Sequence, residues 1–175
     1  MGRALGEIVL QEMLIRIRRT INAEQLSVVR QALSHCNDAL YVKLVFDQIR
    51  LWRSFTTEIG IKPTMNEIIG DTFGRVENAH GKVLVSSAMA YVTAAKSGLS
   101  ETEVEDLISI DETVLNDIYQ YHLPPSRRIP PLLWTRIRSE IPAYLSEREA
   151  DGVTVVSWYH RQFIHGNLFL FIHAN

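Results

Sequence analysis

Apolar residues recur at every third or fourth position from the start of the chain to about residue 121, which is the spacing of amphipathic helices. Residues 5–19 predict a buried helix that ends in a basic turn, where cations suit the negative end of the helix dipole. Asn22 and Gln25 then form a capping-box pattern, because each side chain can bind the backbone N–H group of the other residue. A second helix is therefore expected to begin after Asn22.

A third helix is predicted from about residue 39 to residue 55. Its apolar residues share one face, while Lys43, Asp47 and Arg50 line the opposite face. Together with the two preceding helices, it makes residues 1–60 a helical segment.

A second domain is predicted over residues 64–163. Two further capping boxes, Thr64 with Glu67 and Ser100 with Glu103, indicate where two of its helices begin. An uninterrupted apolar stripe at helical spacing predicts another helix between them.

The pattern changes at residue 123. Residues 123–131 contain four prolines and cannot form a regular helix, because proline lacks a backbone donor and fixes φ. A short helix follows, and two β-prone runs then flank Asp151-Gly152, which predicts a hairpin over about residues 143–158. Another helix is expected after it. The predicted fold is mainly α: a helical bundle followed by a winged-helix domain with a small β-hairpin.

Composition and charge argue against a nucleic-acid-binding, disulfide-bonded or membrane-spanning protein. The 175 residues include 18 basic and 20 acidic ones, and the net charge of −2 gives no electrostatic attraction toward nucleic acid or an anionic membrane. The single cysteine, Cys36, excludes an internal disulfide and fits a reducing compartment. No segment approaches the roughly 18 continuous apolar residues that span a bilayer. We therefore expect a soluble, cytoplasmic protein without a membrane partner.

The sequence lacks the usual signatures of catalysis. It contains no P-loop, no G-x-G-x-x-G and no G-x-S-x-G nucleophile elbow. None of the six histidines forms an i, i+4 pair, and with one cysteine a metal site is not expected. The chain is predicted not to be an enzyme by itself, with no catalytic residue and no metal ligand.

The winged-helix order raises a nucleic-acid hypothesis, because the helix before the hairpin can enter the major groove in such folds. Here that helix offers Arg136 and Arg138, and Arg127 and Arg128 lie just upstream. These four arginines are fewer than the roughly 6–10 phosphate contacts of a typical DNA-binding protein. Nucleic acid is therefore an alternative partner and not the expected one.

The sequence also allows a stand-alone adaptor. Such a protein would bind its partner through the helical face that carries Tyr41, Lys43 and Trp52. This interpretation is the second alternative.

A histidine after the predicted hairpin is the chemically most distinctive residue. Residues 158–163 open a helix and place His160 at its N-terminus, where unpaired backbone N–H groups favour an anion. The Nε2–H group of the imidazole could then touch a phosphate oxygen. The competing interpretation is a buried histidine that holds the hairpin to the helix, and the residues alone leave both open.

Five segments, which together cover most of residues 5–163, carry a family resemblance in their order: Leu33–Asp47, Gly98–Glu103, Arg128–Arg136, Glu147–Gly152 and Trp158–Phe163. They resemble the region that follows the nucleotide-binding core in NACHT-domain proteins, particularly those of the NACHT and WD-repeat type. These belong to the STAND class of signal-transducing NTPases, in which a P-loop core is followed by a small helical domain and a winged helix. The resemblance implies that this chain is the lid of such an NTPase, with the P-loop core absent.

The resemblance also implies a mechanism. In that family ADP or ATP lies between core and lid, ADP holds a closed state, and exchange for ATP opens the protein to oligomerise. A lid that touches the phosphate makes different contacts with ADP and ATP, and only such a difference can shift a conformational equilibrium. The implied function is a non-catalytic regulatory segment that closes over the nucleotide and transmits its state to assembly.

Partners and site residues follow from the same resemblance. The chain alone is expected to hold no cofactor. An NTPase core, in cis or in trans, would bring ADP or ATP, and relatives could join a homo-oligomer. His160 matches the winged-helix histidine that reaches the β-phosphate of ADP, and Ala39 stands at the adenine-side position, where the family usually has proline. The tail, residues 164–175, is apolar where the family continues as a charged helix, which indicates a truncated or alternative C-terminus.

Overall fold

The computed structural model describes residues 3–56, 59–121 and 124–164 of the chain. Nearly all of the apolar tail, residues 165–175, therefore lies outside the described residues, and so does the first residue of the proline-rich connection. Within the described ranges, no helix is long and apolar enough to cross a bilayer.

The chain divides into two units, Met1–Thr72 and Phe73–Asn175. The first unit contains α1 (Arg3–Arg16), α2 (Ala23–His35) and α3 (Ala39–Ile49). Helix α1 packs against both α2 and α3. The burial of apolar side chains from all three helices stabilises this unit by removing them from water. The buried set includes Leu10, Leu14, Val29, Leu33, Leu44 and Val45.

Capping boxes begin two helices at the predicted places. The Asn22 side chain accepts the Gln25 N–H group at 2.8 Å, and the Gln25 side chain accepts the Asn22 N–H group at 3.1 Å. Helix α4 (Met65–His80) begins in the same way, because the Thr64 N–H group donates to Glu67 Oε2 at 3.2 Å. The division between the two units falls within α4.

Helix α3 is shorter than its periodicity predicts. It ends at Ile49 rather than near residue 55. The carbonyl groups of Arg50 and Trp52 instead accept hydrogen bonds from the guanidinium group of Arg19. The apolar pattern could not reveal this end, because the side chain that stabilises it comes from another part of the sequence.

One residue assigned to the polar face of α3 is buried. Asp47 is only 8% exposed, and it forms ion pairs with Lys43 and with Arg50, the latter at 3.5 Å between Arg50 Nε and Asp47 Oδ1. A buried carboxylate requires such partners, because desolvation otherwise disfavours its charge. The prediction that this whole face lies opposite the core was therefore wrong at Asp47.

The second unit has the order of a winged helix. Its three strands form one antiparallel sheet, in the order β1-β3-β2. After α4, its elements are α5 (Lys82–Ala94), β1 (Leu99–Ser100), α6 (Glu101–Ile110), α7 (Glu112–Ile118), α8 (Pro131–Glu140), β2 (Leu145–Ala150) and β3 (Val153–Trp158). Helix α5 packs against α6, α7 and β3, and α6 packs against α8 and β1. The predicted fold class, mainly α with a winged-helix domain and a small hairpin, is confirmed.

The sequence pattern did not predict strand β1. It pairs with β3 through Leu99 opposite Val156 and Ser100 opposite Val155. Gly98 makes this approach possible, because its φ is 78° and a Cβ atom there would lie 2.8 Å from the carbonyl oxygen of Val156. A two-residue strand is too short to show alternation, so the glycine was its only sequence signal.

The hairpin turn follows the chemistry of its two central residues. Asp151 has φ 50° and Gly152 has φ 78°, while Ala150 pairs with Val153 across the turn. Positive φ at both positions is the type I′ geometry that an Asp-Gly pair favours and that suits the twist of the flanking strands. The turn therefore fixes the register of β2 against β3.

Candidate functional site

His160 lies just after the last strand of the sheet, one residue beyond Tyr159, and is partly buried. Residues 161–164 are helical. The His160 Nδ1 atom accepts the backbone N–H group of Gln162 at 3.2 Å. Because Nδ1 is an acceptor in this geometry, the neutral imidazole carries its proton on Nε2. The hydrogen bond thus leaves Nε2–H as the donor that the ring can offer to an anion.

Two buried aromatic residues flank this histidine in the sequence. Trp158 and Phe163 stack with ring centroids 5.6 Å apart, and Phe73 meets both rings edge-on at 5.6 Å and 6.3 Å. Phe163 also lies 4.9 Å from the ring of Tyr144. Offset and edge-to-face contacts of this kind add to the free energy of burial. Trp158 and Phe163 thus join the hairpin to the following helical residues, and the hydrogen bond from Gln162 N–H to His160 Nδ1 contributes to the same junction.

The indole group of Trp158 has a polar partner far away in the sequence. Trp158 Nε1 donates to Thr93 Oγ1 on α5 at 2.9 Å, and Thr93 Oγ1 donates to the carbonyl oxygen of Met89 at 2.7 Å. Sequence reasoning missed Thr93, because nothing in the local pattern around it indicates a contact 65 residues away.

The second predicted nucleotide-binding position is exposed. Ala39 is the first residue of α3 and follows Asp38, whose side chain makes no capping hydrogen bond. Ala39 belongs to the first unit and His160 to the second. Its methyl group offers an apolar surface but no hydrogen bond, so the chemistry of the candidate site resides in His160.

The arginines of the nucleic-acid hypothesis are mostly paired with carboxylates. Arg138 forms ion pairs with both Glu101 and Glu147. Arg127 pairs with Glu112 at 3.0 Å, and Arg128 pairs with Asp106. Pairing within the fold cancels the charge that would otherwise attract phosphate groups. The remaining arginine of this set, Arg136, is exposed on α8.

One residue of the predicted adaptor face is buried, whereas Lys43 and Trp52 are partly exposed. Tyr41 is 0% exposed, and its hydroxyl group donates to the carbonyl oxygen of Lys62 at 2.6 Å. Burial, followed by the charges of Cys36 and Glu67, raises the pKa of Tyr41 to about 12. A fully buried tyrosine cannot contact a partner protein, so its assignment to an interaction surface was wrong.

No group of three or more His, Cys, Asp or Glu side chains is arranged to hold a metal ion in the part of the chain that the structure describes. The ring of Tyr159 lies beside His160, with centroids 6.5 Å apart, and the backbone N–H group of Gln162 donates to its Nδ1 atom. Such an arrangement can donate a hydrogen bond to an anion, but it offers no nucleophile and no acid–base pair.

A known protein-family model matches the greater part of the chain. Residues 56–167 fit the model of the NWD1-like, winged helix-turn-helix domain. This range covers α4 to α8, the whole sheet and His160.

Several curated proteins are similar over nearly the whole chain. The human "NACHT domain- and WD repeat-containing protein 1" is 35% identical over 162 residues, which is 91% of this chain and 10% of the relative. The human "NACHT and WD repeat domain-containing protein 2" is 35% identical over 173 residues, which is 96% of this chain and 10% of the relative. The chain thus spans about a tenth of the length of these relatives. No solved structure matches it.

Proposed function

Because this chain belongs to the family of NWD1-like winged helix-turn-helix domains, we propose that it is a non-catalytic regulatory segment of a NACHT-type signalling NTPase. In this role it closes over ADP bound to an NTPase core and passes the state of the nucleotide on to assembly. The core is supplied in cis or in trans, and the chain by itself holds no cofactor. The complex works in the cytoplasm, and its open form joins relatives in an oligomer.

The observation that carries the proposal is the hydrogen bond from Gln162 N–H to His160 Nδ1 at 3.2 Å. Because the Nδ1 atom is engaged in this way, the ring presents Nε2–H. An imidazole donor facing an ADP β-phosphate oxygen makes a charge-assisted hydrogen bond, which is stronger than a neutral one. The buried rings of Trp158 and Phe163 restrict how far the backbone at His160 can move. A donor that is already oriented loses less entropy when the phosphate arrives.

The same contact makes the lid respond differently to ADP and to ATP. A ligand shifts a two-state equilibrium only by its difference in affinity for the two states. ADP ends in the β-phosphate that His160 is proposed to touch, whereas ATP places a γ-phosphate beyond it. The closed state is therefore stabilised by ADP more than by ATP.

The test joins the chain to the NTPase core of a NACHT and WD-repeat relative and measures the rate of ADP release. His160→Asn keeps a side-chain acceptor that can cap residues 161–164, but it removes the Nε2–H donor. His160→Gln keeps an N–H donor at about the reach of Nε2. We expect the Asn variant to release ADP roughly 10- to 100-fold faster, the range for a lost hydrogen bond to a charged group. The Gln variant should fall between Asn and the parent.

The control is His35→Ala, which removes an exposed histidine of the first unit and should leave the rate unchanged. Release from His160→Asn at the parental rate would show that the imidazole does not contact the nucleotide.

A further inference from the structure

We infer that the hydroxyl group of Thr93 on α5 positions the imidazole of His160 for its contact with a phosphate. The inference rests on the proposed phosphate contact of His160 and adds a second residue to it. Thr93 is a positioning residue, because it acts through Trp158 and touches no ligand itself.

The hydroxyl group of Thr93 donates one hydrogen bond and accepts another. A threonine hydroxyl has one hydrogen, and here it points to the carbonyl oxygen of Met89 at 2.7 Å. The oxygen therefore acts as an acceptor toward Trp158 Nε1, which is 2.9 Å away. An indole has a single N–H donor, and a buried donor left without an acceptor is costly. Trp158 is 9% exposed. The hydrogen bond to Thr93 therefore acts together with the ring contacts to Phe73 and Phe163 to orient the indole.

The indole of Trp158 is linked to His160 through Phe163. The Trp158 ring is stacked on Phe163, with an interplanar angle of 20°. The Phe163 N–H group donates to the carbonyl oxygen of His160 at 3.0 Å, and the Tyr159 N–H group donates to the carbonyl oxygen of Tyr144 at 2.9 Å. A tilt of the indole therefore displaces Phe163 and, with it, the backbone of His160 to which the Phe163 N–H group is bonded. Since the imidazole is tied to Gln162 N–H, it follows that displacement.

Packing alone does not require a threonine at position 93. A hydroxyl that bonds back to the carbonyl four residues earlier slightly destabilises a helix, so valine would serve packing alone at least as well. Thr72 on α4 has the same back-bond, to the carbonyl oxygen of Ile68 at 2.9 Å. Thr93 differs from Thr72 in accepting a hydrogen bond from the Trp158 indole, and this makes Thr72 a control for the back-bond.

The experiment compares Thr93→Val, Thr93→Ser and Thr72→Val. In the chain joined to an NTPase core, Thr93→Val should release ADP about three- to tenfold faster, the range expected when the indole N–H group loses its neutral acceptor. Thr93→Ser restores the acceptor and should return to the parental rate. Thr72→Val should match the parent throughout.

A second readout needs no nucleotide. In the 175-residue chain, long-range proton–nitrogen NMR correlations of the His160 ring report its tautomer. The parent should show the proton on Nε2. Thr93→Val should shift these signals toward a mixture of tautomers, and Thr93→Ser should not.

The outcomes separate the two proposals. If His160→Asn speeds ADP release but Thr93→Val changes neither the rate nor the His160 spectrum, the positioning role is wrong and the phosphate contact stands. Equal acceleration by Thr72→Val and Thr93→Val would also overturn the positioning role, because the effect would then belong to helix back-bonding. If His160→Asn leaves release unchanged, the phosphate contact fails, and the NMR comparison alone decides whether Thr93 orients the ring.

Discussion

Gly98 illustrates how a single residue can determine a strand pairing. Its φ of 78° lies in the left-handed region, which residues with a Cβ atom adopt only at a cost. The same glycine lets β1 come within reach of β3, since an added Cβ would meet Val156 O at 2.8 Å and Val155 Cγ2 at 3.2 Å. Backbone conformation and close approach both require glycine here, so the residue cannot be exchanged without moving a strand.

Replacement of Gly98 by alanine should therefore lower the free energy of unfolding by about 2–4 kcal/mol, the sum of the left-handed strain and the overpacking. Urea denaturation followed by tryptophan fluorescence measures it. Gly74→Ala is the matched control: Gly74 lies inside α4, an added Cβ meets no atom within 4 Å, and alanine there should stabilise by up to about 1 kcal/mol. Equal stability of Gly98→Ala and the parent would mean that β1 does not pair with β3.

At the scale of elements, the sequence predicts those features whose cause is local. The capping boxes at Asn22, Thr64 and Ser100 join residues three positions apart, and each is present in the structure. The Asp-Gly turn is also local. The end of α3 was misplaced because the Arg19 side chain, which binds the carbonyl groups just beyond Ile49, lies 31 residues away from Arg50.

The same distinction between local and long-range causes applies to the residues of the candidate site. His160 could be singled out from its position after a hairpin and from the family resemblance. The partners of Trp158 and Phe163 come from α4, α5 and the turn before β2. No periodicity or spacing brings those residues together, because tertiary packing alone decides which rings meet.

The start of α7 gives a pH-dependent prediction. Burial raises the pKa of the Asp111 carboxyl group, but hydrogen bonds from Tyr91, Val114, Thr113 and Ser87 outweigh it and hold this pKa below its usual value. For Tyr91, burial together with the hydrogen bond and charge of Asp111 raises the pKa to about 12. The stability due to Asp111 is therefore present above its unfolded pKa of about 3.9 and is lost as the pH falls through the lower folded value. The stability due to Tyr91 is complete below about pH 10 and is lost as the pH rises through about 12.

Tyr91→Phe should reduce the free energy of unfolding at neutral pH by about 1 kcal/mol, the usual contribution of one hydrogen bond. It should also weaken the dependence of stability on pH at both the acid and the alkaline end. Urea denaturation at acid, neutral and alkaline pH measures all three effects. Tyr41→Phe is the control, because Tyr41 donates to a backbone carbonyl group and its loss should leave the acid dependence intact. An unchanged acid dependence in Tyr91→Phe would show that the bond to Asp111 is absent.

At the scale of the whole molecule, most arginines near the proposed DNA-binding helix are paired with carboxylates. The net charge is −2, and Arg127, Arg128 and Arg138 are each paired with a carboxylate of the same unit. We therefore expect no binding of duplex DNA in a titration between about 50 and 200 mM salt, the range over which phosphate-driven binding changes steeply. Binding that weakens with salt, and is lost in Arg136→Ala, would instead support the nucleic-acid function.

The central claim is that this chain acts as a lid that recognises ADP bound to an NTPase core. Thermodynamic linkage between lid binding and ADP binding makes this claim measurable. If ADP strengthens the binding of the lid, the lid must strengthen the binding of ADP by the same factor. The decisive measurement is a calorimetric titration of the 175-residue chain into the NTPase core of a NACHT and WD-repeat relative, once loaded with ADP and once empty. We predict at least about tenfold tighter binding to the ADP-loaded core, from one charge-assisted hydrogen bond, and no such difference for His160→Asn. Equal affinity of the parent chain for the two forms of the core would contradict the account.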